Sequence, residues 1–297
     1  MDMELTVVVA VHRRPVTLRE TLESILKQKE IAFDTVVVSG VAEPEPVDDV
    51  MKDFPTVRYV KDEKYLSLSA KHVYGFETAK TDYVYTIDDD DYLTDDLFFR
   101  KACDILDADA QLAFVSASSE KRIESADGKS APTYEHYALP FLGRRAGREY
   151  FQDFQVTMTK PLGTCTTVWR RAALLWGEPL REFSDSSMYL KALLWGDCHL
   201  FADSVAHYRV WKQSMTNGRG SNMPFKINVM EQKERFLAEA MDKIPDPLGW
   251  WFGTYKMNYL YFESSFANDE DRKTFAKWGY EHAHGSEELK AFCAERM

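Results

Sequence analysis

The chain is organised around residues 83–93, which read YVYTIDDDDYL. The apolar, β-branched and aromatic residues 83–87 have the length and composition of a buried strand. Four carboxylates, Asp88 to Asp91, follow at once, and neighbouring carboxylates repel one another. A solvated acidic turn before a helix explains residues 94–96 well, but it explains these four residues poorly. Because Mg²⁺ and Mn²⁺ take oxygen ligands, the cluster predicts a divalent cation site.

The residues before this stretch alternate between strand and helix patterns. Apolar, β-branched runs predict strands at residues 5–11, 33–38 and 57–60. Apolar residues at helical spacing predict helices at residues 16–28, 47–54 and 68–78. The alternation predicts an α/β fold with a Rossmann-like, mainly parallel sheet flanked by helices. Ligands of such sheets bind at the carboxyl ends of the strands, so the loops at 12–14, 39–40 and 88–91 should share one cleft.

The residues after 93 continue this pattern and then become helical. Further strands are predicted at residues 112–116, 164–169, 200–202 and 206–211, and further helices at 97–107, 170–176 and 186–194. Residues 118–137 are polar and turn-rich, which predicts a hairpin or a mobile loop. The last part is helical, with its clearest helices at 231–241 and 255–266. We therefore divide the chain into an α/β domain, residues 1–220, and a helical C-terminal extension, residues 221–297.

Charge and cysteine content narrow the class of protein. The net charge of −11 disfavours broad electrostatic binding to nucleic acid or to an anionic membrane. The four cysteines are widely spaced and form no C-x-x-C pair, which is typical of reduced thiols in a cytosolic protein. No signal peptide and no membrane-spanning apolar run is visible. We expect a cytoplasmic protein with at most peripheral membrane contact.

Three blocks of the sequence resemble the inverting, nucleotide-sugar-dependent glycosyltransferases of family 2, whose fold is called GT-A. Residues 5–28 resemble the opening strand, loop and helix of that family. Residues 68–97 resemble its second block, which ends in the D-x-D motif, and residues 183–216 resemble its third block. The resemblance implies a nucleotide-sugar-binding part at about 1–116 and an acceptor and catalytic part at about 117–220.

The resemblance assigns the donor and metal residues of the first two blocks. Asp88 and Asp90 fall on the D-x-D motif, which holds the ribose and a Mn²⁺ or Mg²⁺ ion that bridges the donor diphosphate. Because four aspartates are consecutive, the register is open by one residue, and Asp89 is a further donor contact, with Asp91 also a candidate. The loop Val11-His12-Arg13 falls where the family cradles the base and ribose. A loop histidine without a role is the equal alternative for His12.

The third block supplies the expected catalytic base. Asp185 falls on the acidic residue that takes the proton of the acceptor hydroxyl, as direct displacement at the anomeric carbon requires. Ser184 stands where the family usually has Glu. The structural alternative is that Asp185 caps the helix that follows, and both roles are compatible. Glu182 and Asp197 are weaker alternatives for the base.

Two further positions depart from the family pattern. Arg209 matches an Arg of the family and is a donor contact, but Trp211 stands where a metal-binding His is expected, so His207 is an alternative ligand. Ser39 stands where the family often has an Asp that reads the uracil N3–H. A hydroxyl at Ser39 is still able to contact the donor, and Asp62 or Glu63 is a possible substitute carboxylate. A UDP-sugar remains the favoured donor.

The aromatic residues of the extension are candidates for binding the acceptor. The pair Trp250-Trp251 and the tyrosines of helix 255–266 are core by default, but the pair looks exposed and is suited to stacking on sugar rings. We expect residues 221–297 to govern the acceptor. Arg219 lies in a Gly-flanked loop that is suited to closing on the diphosphate.

The leading hypothesis is a transferase that moves a sugar to a hydroxyl of a glycan or glycolipid in polysaccharide biosynthesis. One alternative is a phage-type enzyme that glycosylates a modified DNA base, although the net charge of −11 counts against it. Another is a non-catalytic nucleotide-binding module. The departures at Ser39 and Trp211 favour that module, whereas the acidic cluster and Asp185 oppose it.

Overall fold

The computed structural model describes residues 4–125, 130–154, 156, 163–177, 179–180, 184–211 and 222–297. The strands are β1 (Leu5–Ala10), β2 (Phe33–Ser39), β3 (Arg58–Lys61), β4 (Tyr83–Asp88), β5 (Tyr92–Leu93), β6 (Leu112–Ile123), β7 (Thr133–Tyr137), β8 (Gly143–Arg145), β9 (Thr167–Arg170) and β10 (Asp197–Val210). The helices are α1 (Pro15–Leu26), α2 (Asp48–Lys52), α3 (Leu68–Thr78), α4 (Phe98–Ala108), α5 (Gly147–Asp153), α6 (Arg171–Leu175), α7 (Asp185–Trp195), α8 (Met223–Ala240), α9 (Pro247–Glu263), α10 (Asp269–Glu281) and α11 (Glu287–Ala294).

The strands form one mixed, mostly parallel sheet in the order β3-β2-β1-β4-β9-β6-β10-β5. The four strands from β3 to β4 are parallel to their neighbours. Strand β9 is antiparallel to both β4 and β6, and β10 is again parallel to β6. Strands β4, β6 and β10 therefore run in the same direction, and their carboxyl ends lie at one edge. This confirms the predicted α/β sheet flanked by helices.

Alternation along the strands divides the core between the two faces of the sheet. Val7 and Val9 of β1 belong to one buried cluster, together with residues of α1, α2 and α4, whereas Val8 points into a different one. This is the period-two pattern of a strand that is covered on both sides. Helix α3 lies close to β1 because Gly75 offers no side chain: a Cβ atom there would lie 2.2 Å from a Val8 methyl group.

The C-terminal helices complete the opposite face. Trp250, Trp251 and Tyr255 of α9 are fully buried, and they belong to the same cluster as Trp169 of β9 and Tyr189 of α7. The expectation that the tryptophan pair is exposed and suited to sugar stacking is therefore wrong, because both indoles lie in the core. The division at residue 220 stays a prediction, and residues on either side of it pack into one shared core.

Most predicted elements of the first half appear within a few residues of their expected ends. The polar segment 118–137 contains an antiparallel hairpin, since β6 extends to Ile123 and pairs with β7. The two short strands predicted at 200–202 and 206–211 are one long strand, β10, with register shifts around Ser204. These irregularities interrupt the apolar pattern, which explains why the sequence reads as two strands.

The cysteines are free thiols, as their spacing predicted, and all four are buried: Cys103, Cys165, Cys198 and Cys293. Within the described ranges, no helix has the length and apolar character needed to cross a membrane.

Candidate active site

The loop after β1 and the acidic cluster after β4 are held together at the carboxyl edge of the sheet. Strands β1 and β4 are parallel neighbours, and Ala10 pairs with Asp88 at their ends. The His12 backbone N–H donates to Asp89 Oδ2 at 2.5 Å, and Arg14 Nη1 donates to Asp89 Oδ1 at 3.1 Å. The two loops that the sequence predicted to share a cleft therefore lie side by side at this edge.

Asp89 and Asp91 lie beneath the cleft rather than facing it. Asp89 is fully buried, and both of its carboxylate oxygens accept hydrogen bonds from the loop after β1. Asp91 is also buried, and its Oδ1 accepts from the Arg209 backbone N–H at 2.8 Å. Asp89 was expected to contact the donor directly, but the structure gives it a supporting position under the loop that carries His12.

Burial makes this cluster electrostatically unfavourable as it stands. It raises the pKa of Asp89 to about 7, although the His12 N–H and Arg14 oppose the shift. It also raises the pKa of Asp90, which Arg14 opposes and the Asp88 charge reinforces. The pKa of Asp91 is likewise raised well above its ordinary value, first by burial and then by the charges of Asp90 and Asp88. Additional positive charge at this edge would favour the ionised carboxylates.

Asp88 and Asp90 are the two carboxylates of the cluster that reach the cleft. Their side chains are 35% and 12% exposed, respectively. Asp88 Oδ1 is buried and has no hydrogen-bond partner among the described residues, and the nearest His72 nitrogen, Nε2, lies 3.6 Å away. Asp90 Oδ2 lies 2.5 Å from Arg14 Nη1 and accepts from Trp211 Nε1 at 3.0 Å. The unsatisfied oxygen of Asp88, next to a second accessible carboxylate, fits a hard divalent cation.

The end of β2 carries a buried cluster of polar side chains. Ser39 Oγ donates to Glu45 Oε1 at 2.5 Å, and Tyr59 Oη donates to the same oxygen at 2.8 Å. Glu45 Oε2 is buried, has no hydrogen-bond partner in the described part of the chain, and lies 3.5 Å from Arg13 Nε. The carboxylate that contacts Ser39 is therefore Glu45, whereas Asp62 accepts from the Lys64 backbone N–H. Sequence reasoning missed Glu45 because it lies in a loop with no motif around it.

A buried lysine lies under the loop after β1. Lys71 of α3 is almost fully buried, and its Nζ donates to the Val11 carbonyl oxygen at 2.6 Å. Burial lowers the pKa of Lys71, and the neighbouring Asp89, Glu45 and Asp88 charges oppose this shift. Val11 itself is buried, so the backbone of residue 11 rather than its side chain faces a polar partner. Lys71 thus holds the loop after β1 by a hydrogen bond and interacts electrostatically with both Asp89 and Glu45.

Asp185 is the first residue of α7, and Ser184 is the N-cap without a side-chain capping bond. The structure shows that Asp185 belongs to the first helical turn, where a carboxylate is favoured by the helix dipole. Burial raises the pKa of the Cys165 thiol well above its ordinary value, and the charges of Asp91, Asp88 and Asp185 raise it further. One buried thiol is therefore close enough to respond to both the acidic cluster and Asp185.

Of the two weaker candidates for the catalytic base, the structure describes Asp197 but not Glu182. Asp197 begins β10 at the opposite edge of the sheet, where its carboxylate accepts from the Gly147 N–H at 2.9 Å and pairs with Arg144 at 2.6 Å. It is therefore wrong as a candidate base, because it is committed to structural partners far from the cleft edge. Glu182 and Arg219 lie outside the described residues.

The end of β10 brings His207 and Arg209 to the same edge. Both ring nitrogens of His207 have partners, since Nδ1 lies 2.6 Å from Tyr92 Oη and Nε2 lies 3.0 Å from Glu120 Oε2. A metal-binding role for His207 would have to break one of these contacts. The Arg209 guanidinium is buried, lies 2.5 Å from Glu20 and stands over the Trp211 ring at 5.5 Å.

An exposed patch of α9 lies near Asp185. Tyr261 is 45% exposed, whereas its helix neighbours Tyr259 and Phe262 are buried. Partial burial raises the pKa of Tyr261, and the Asp185 charge raises it further, so the phenol and the carboxylate interact electrostatically. Most of the other aromatic residues of the extension are core.

Comparisons with known proteins agree with this geometry. A model of the family described as glycosyl transferase family 2 matches residues 6–174. Residues 1–349 of S. aureus TarS in complex with UDP-GlcNAc match with a TM-score of 0.64 and 14% identity, over 94% of this chain and 80% of that chain. Mannosyltransferase PcManGT from Pyrobaculum calidifontis, in complex with GDP-Man and Mn²⁺, matches with a TM-score of 0.55 and 18% identity. That match covers 98% of this chain and 79% of the mannosyltransferase chain. A search of curated proteins found no match.

Proposed function

Because the chain belongs to glycosyl transferase family 2, we propose that it moves a sugar, with inversion, from a nucleoside-diphosphate sugar to a hydroxyl of a glycan or glycolipid. One observation carries the proposal. The accessible carboxylates of Asp88 and Asp90 lie at the carboxyl edge of the sheet, and Asp185 is electrostatically close to the same buried thiol. This proximity supports a metal-dependent donor site and a general base in one cleft.

Asp88 and Asp90 would hold a Mn²⁺ or Mg²⁺ ion, because both ions prefer oxygen ligands and no described residue forms a hydrogen bond with Asp88 Oδ1. The bound ion supplies charge neutralisation for the diphosphate that departs from the sugar. Asp89 supports this arrangement by fixing the backbone of His12 and the guanidinium of Arg14.

The donor nucleoside lies, in this proposal, between the loop after β1 and the end of β2. Val11, His12 and Arg13 form one wall, and Ser39 with Glu45 forms the other. The unpartnered Glu45 Oε2 is an acceptor for an N–H group of the base, which supports a UDP-sugar without requiring an Asp at position 39. The similar solved structures contain UDP-GlcNAc and GDP-Man, so both nucleotides belong in the first donor screen.

Asp185 serves as the general base of the transfer. Its carboxylate takes the proton of the acceptor hydroxyl as that oxygen bonds to the anomeric carbon and the bond to the diphosphate oxygen breaks. Attack from the face opposite the leaving group inverts the configuration. The exposed Tyr261 of α9 lies near Asp185, which supports a role for the C-terminal extension in binding the acceptor.

The test compares Asp185→Asn with the wild type in a transfer assay. Removal of a general base typically lowers the rate by about 10²–10⁴-fold, and we expect kcat to fall within that range. Donor affinity should hardly change, because the asparagine keeps the shape of the side chain. Asp269→Asn is the matched control, since Asp269 lies in the first turn of α10 and is exposed. Normal turnover in a stable Asp185→Asn protein would exclude Asp185 as the base.

A further inference from the structure

Three side chains of the C-terminal extension converge on one point. Glu234 of α8 presents Oε1 at 2.8 Å from His282 Nδ1 and at 2.5 Å from His284 Nε2. One ligand atom from each residue lies within 4.8 Å of the other two. The side chains of Glu234, His282 and His284 are 20%, 35% and 42% exposed, so the cluster is open to solvent.

The two imidazoles are held by packed neighbours rather than by the cluster alone. The His282 ring stacks on Trp278, with the ring centroids 4.2 Å apart and the planes at 11°. The His282 carbonyl accepts from the Nε1–H of the buried Trp251 at 2.8 Å. Ala283, between the two histidines, is also buried. The backbone that carries both rings is therefore anchored to the core, and Glu234 approaches from a separate helix.

Two neutral imidazole nitrogens and one carboxylate oxygen are a recognised ligand set for transition metals. Zinc sites with three protein ligands leave a fourth position for water, and zinc bonds to nitrogen and oxygen are about 2.0–2.2 Å long. Ligands at that distance around one ion stand roughly 3 Å apart, so the observed separations need only a small adjustment. The aspartate cluster at β4, by contrast, offers only oxygen and suits harder ions.

We propose that Glu234, His282 and His284 bind a transition metal ion of the Zn²⁺ class, at a site separate from the donor cleft. The ion replaces the protons that the imidazoles share with the carboxylate, and water fills its remaining position. It clamps α8 to the turn between α10 and α11. Because the ion binds the folded extension and not the unfolded chain, it stabilises the fold by linkage. The site does not depend on the proposed transfer reaction.

The competing description is an ion-paired carboxylate with two histidines and no metal. The two descriptions differ in their response to Zn²⁺ and in their response to acid. A metal site loses affinity as acid protonates the imidazoles, because only the neutral ring is a ligand. An ion pair alone becomes stronger when the histidines are protonated, and added metal does not change its stability.

Calorimetric titration of Zn²⁺ into EDTA-stripped, buffer-exchanged protein tests the proposal. We use Asp90→Ala as the background, so that the donor cleft does not contribute a second site. We expect one stoichiometric site and a higher Tm with Zn²⁺ present. His284→Ala and Glu234→Gln should each weaken this site by more than about 100-fold, since loss of an outer partner alone costs about 10–100-fold.

His136→Ala is the matched control, because His136 is an exposed histidine on β7. It should bind Zn²⁺ as the background protein does. A Co²⁺ spectrum of tetrahedral type, present in the background and absent in His284→Ala, would support the proposal directly. Absence of stoichiometric Zn²⁺ binding in the background, or unchanged binding in His284→Ala, would overturn it.

Discussion

The edge after β4 and the core of the C-terminal extension bury side chains of opposite character. At the edge, Asp89 and Asp91 are buried although burial raises the pKa of both carboxyl groups. In the extension, Trp250 and Trp251 are fully buried and pack with aromatic neighbours. Burial of the carboxyl groups lowers the free energy of unfolding in the first region, whereas burial of the aromatic side chains raises it in the second. Groups whose burial is electrostatically unfavourable are candidates for function, so we expect the donor site in the first region.

This contrast also separates two kinds of substitution. Replacing a buried aromatic residue of the extension should lower the free energy of unfolding and leave the cleft intact. Replacing a carboxylate of the cluster should change donor binding and leave stability unchanged or higher. Three predictions test the contrast, from the largest effect to the smallest.

The largest effect is expected for Trp250→Ala. Truncation of a fully buried tryptophan typically costs about 3–5 kcal/mol, because it removes buried apolar area and leaves a cavity. Trp250 stacks against Phe151 of α5 at 4.6 Å, so the cavity would open between the extension and the α/β part. Urea unfolding measures the loss. Tyr261→Ala on the same helix is the control and should cost much less, since Tyr261 is exposed.

A smaller effect is expected for Ser39→Ala. The substitution removes the hydroxyl that donates to Glu45 Oε1 at 2.5 Å, and a hydrogen bond to a buried charged group contributes about 1.5–3 kcal/mol. We expect a matching loss in the free energy of unfolding, together with weaker binding of UDP. If neither quantity changes, Ser39 and Glu45 are not part of the donor pocket.

The smallest effect is expected for Asp89→Asn in EDTA. The folded-state pKa of Asp89 is raised to about 7, so the folded protein holds a proton that the unfolded chain releases. The stability contributed by Asp89 is therefore lost as the pH rises from about 4 to about 7. The asparagine variant lacks this loss, so its Tm should fall less than that of the wild type as the pH rises from about 4 to about 8. Identical pH profiles of Tm for the two proteins would contradict the assignment.

The part of the fold that follows from local patterns was predictable. The β-branched run of β1, the helical spacing of α3 and the apolar run of β4 each determine one element, and their alternation predicts the parallel sheet. The single long strand β10 was not predictable, since its register shifts around Ser204 break the period-two pattern. The burial of Trp250 and Trp251 also escaped prediction, because the partners of α9 lie far away in sequence.

Some residues of the site can be recognised from the local sequence, whereas others depend on contacts between segments that are distant in the sequence. The acidic run and Asp185 stand out in the sequence because their residue types are unusual at a strand end and before a helix. Arg14, Lys71 and Glu45 do not stand out in the sequence. In the structure Arg14 contacts a carboxylate, Lys71 a backbone carbonyl group and Glu45 the Ser39 hydroxyl. Their roles depend on contacts between loops that follow different strands. Only the tertiary structure identifies which polar residues meet there.

The most direct test of the central claim is calorimetry of UDP and GDP binding with Mn²⁺, with EDTA, and with Mn²⁺ in Asp90→Ala. Asp90 is 12% exposed and follows Asp88 by two residues at the end of β4, whereas Asp96 is a surface aspartate, so Asp96→Ala is the matched control. We predict tight binding of at least one nucleotide to the wild type and to the control with Mn²⁺. We predict at least a tenfold loss of affinity, about 1.4 kcal/mol, in EDTA and in Asp90→Ala. Equal affinity under all of these conditions would contradict a cation held by the aspartates after β4.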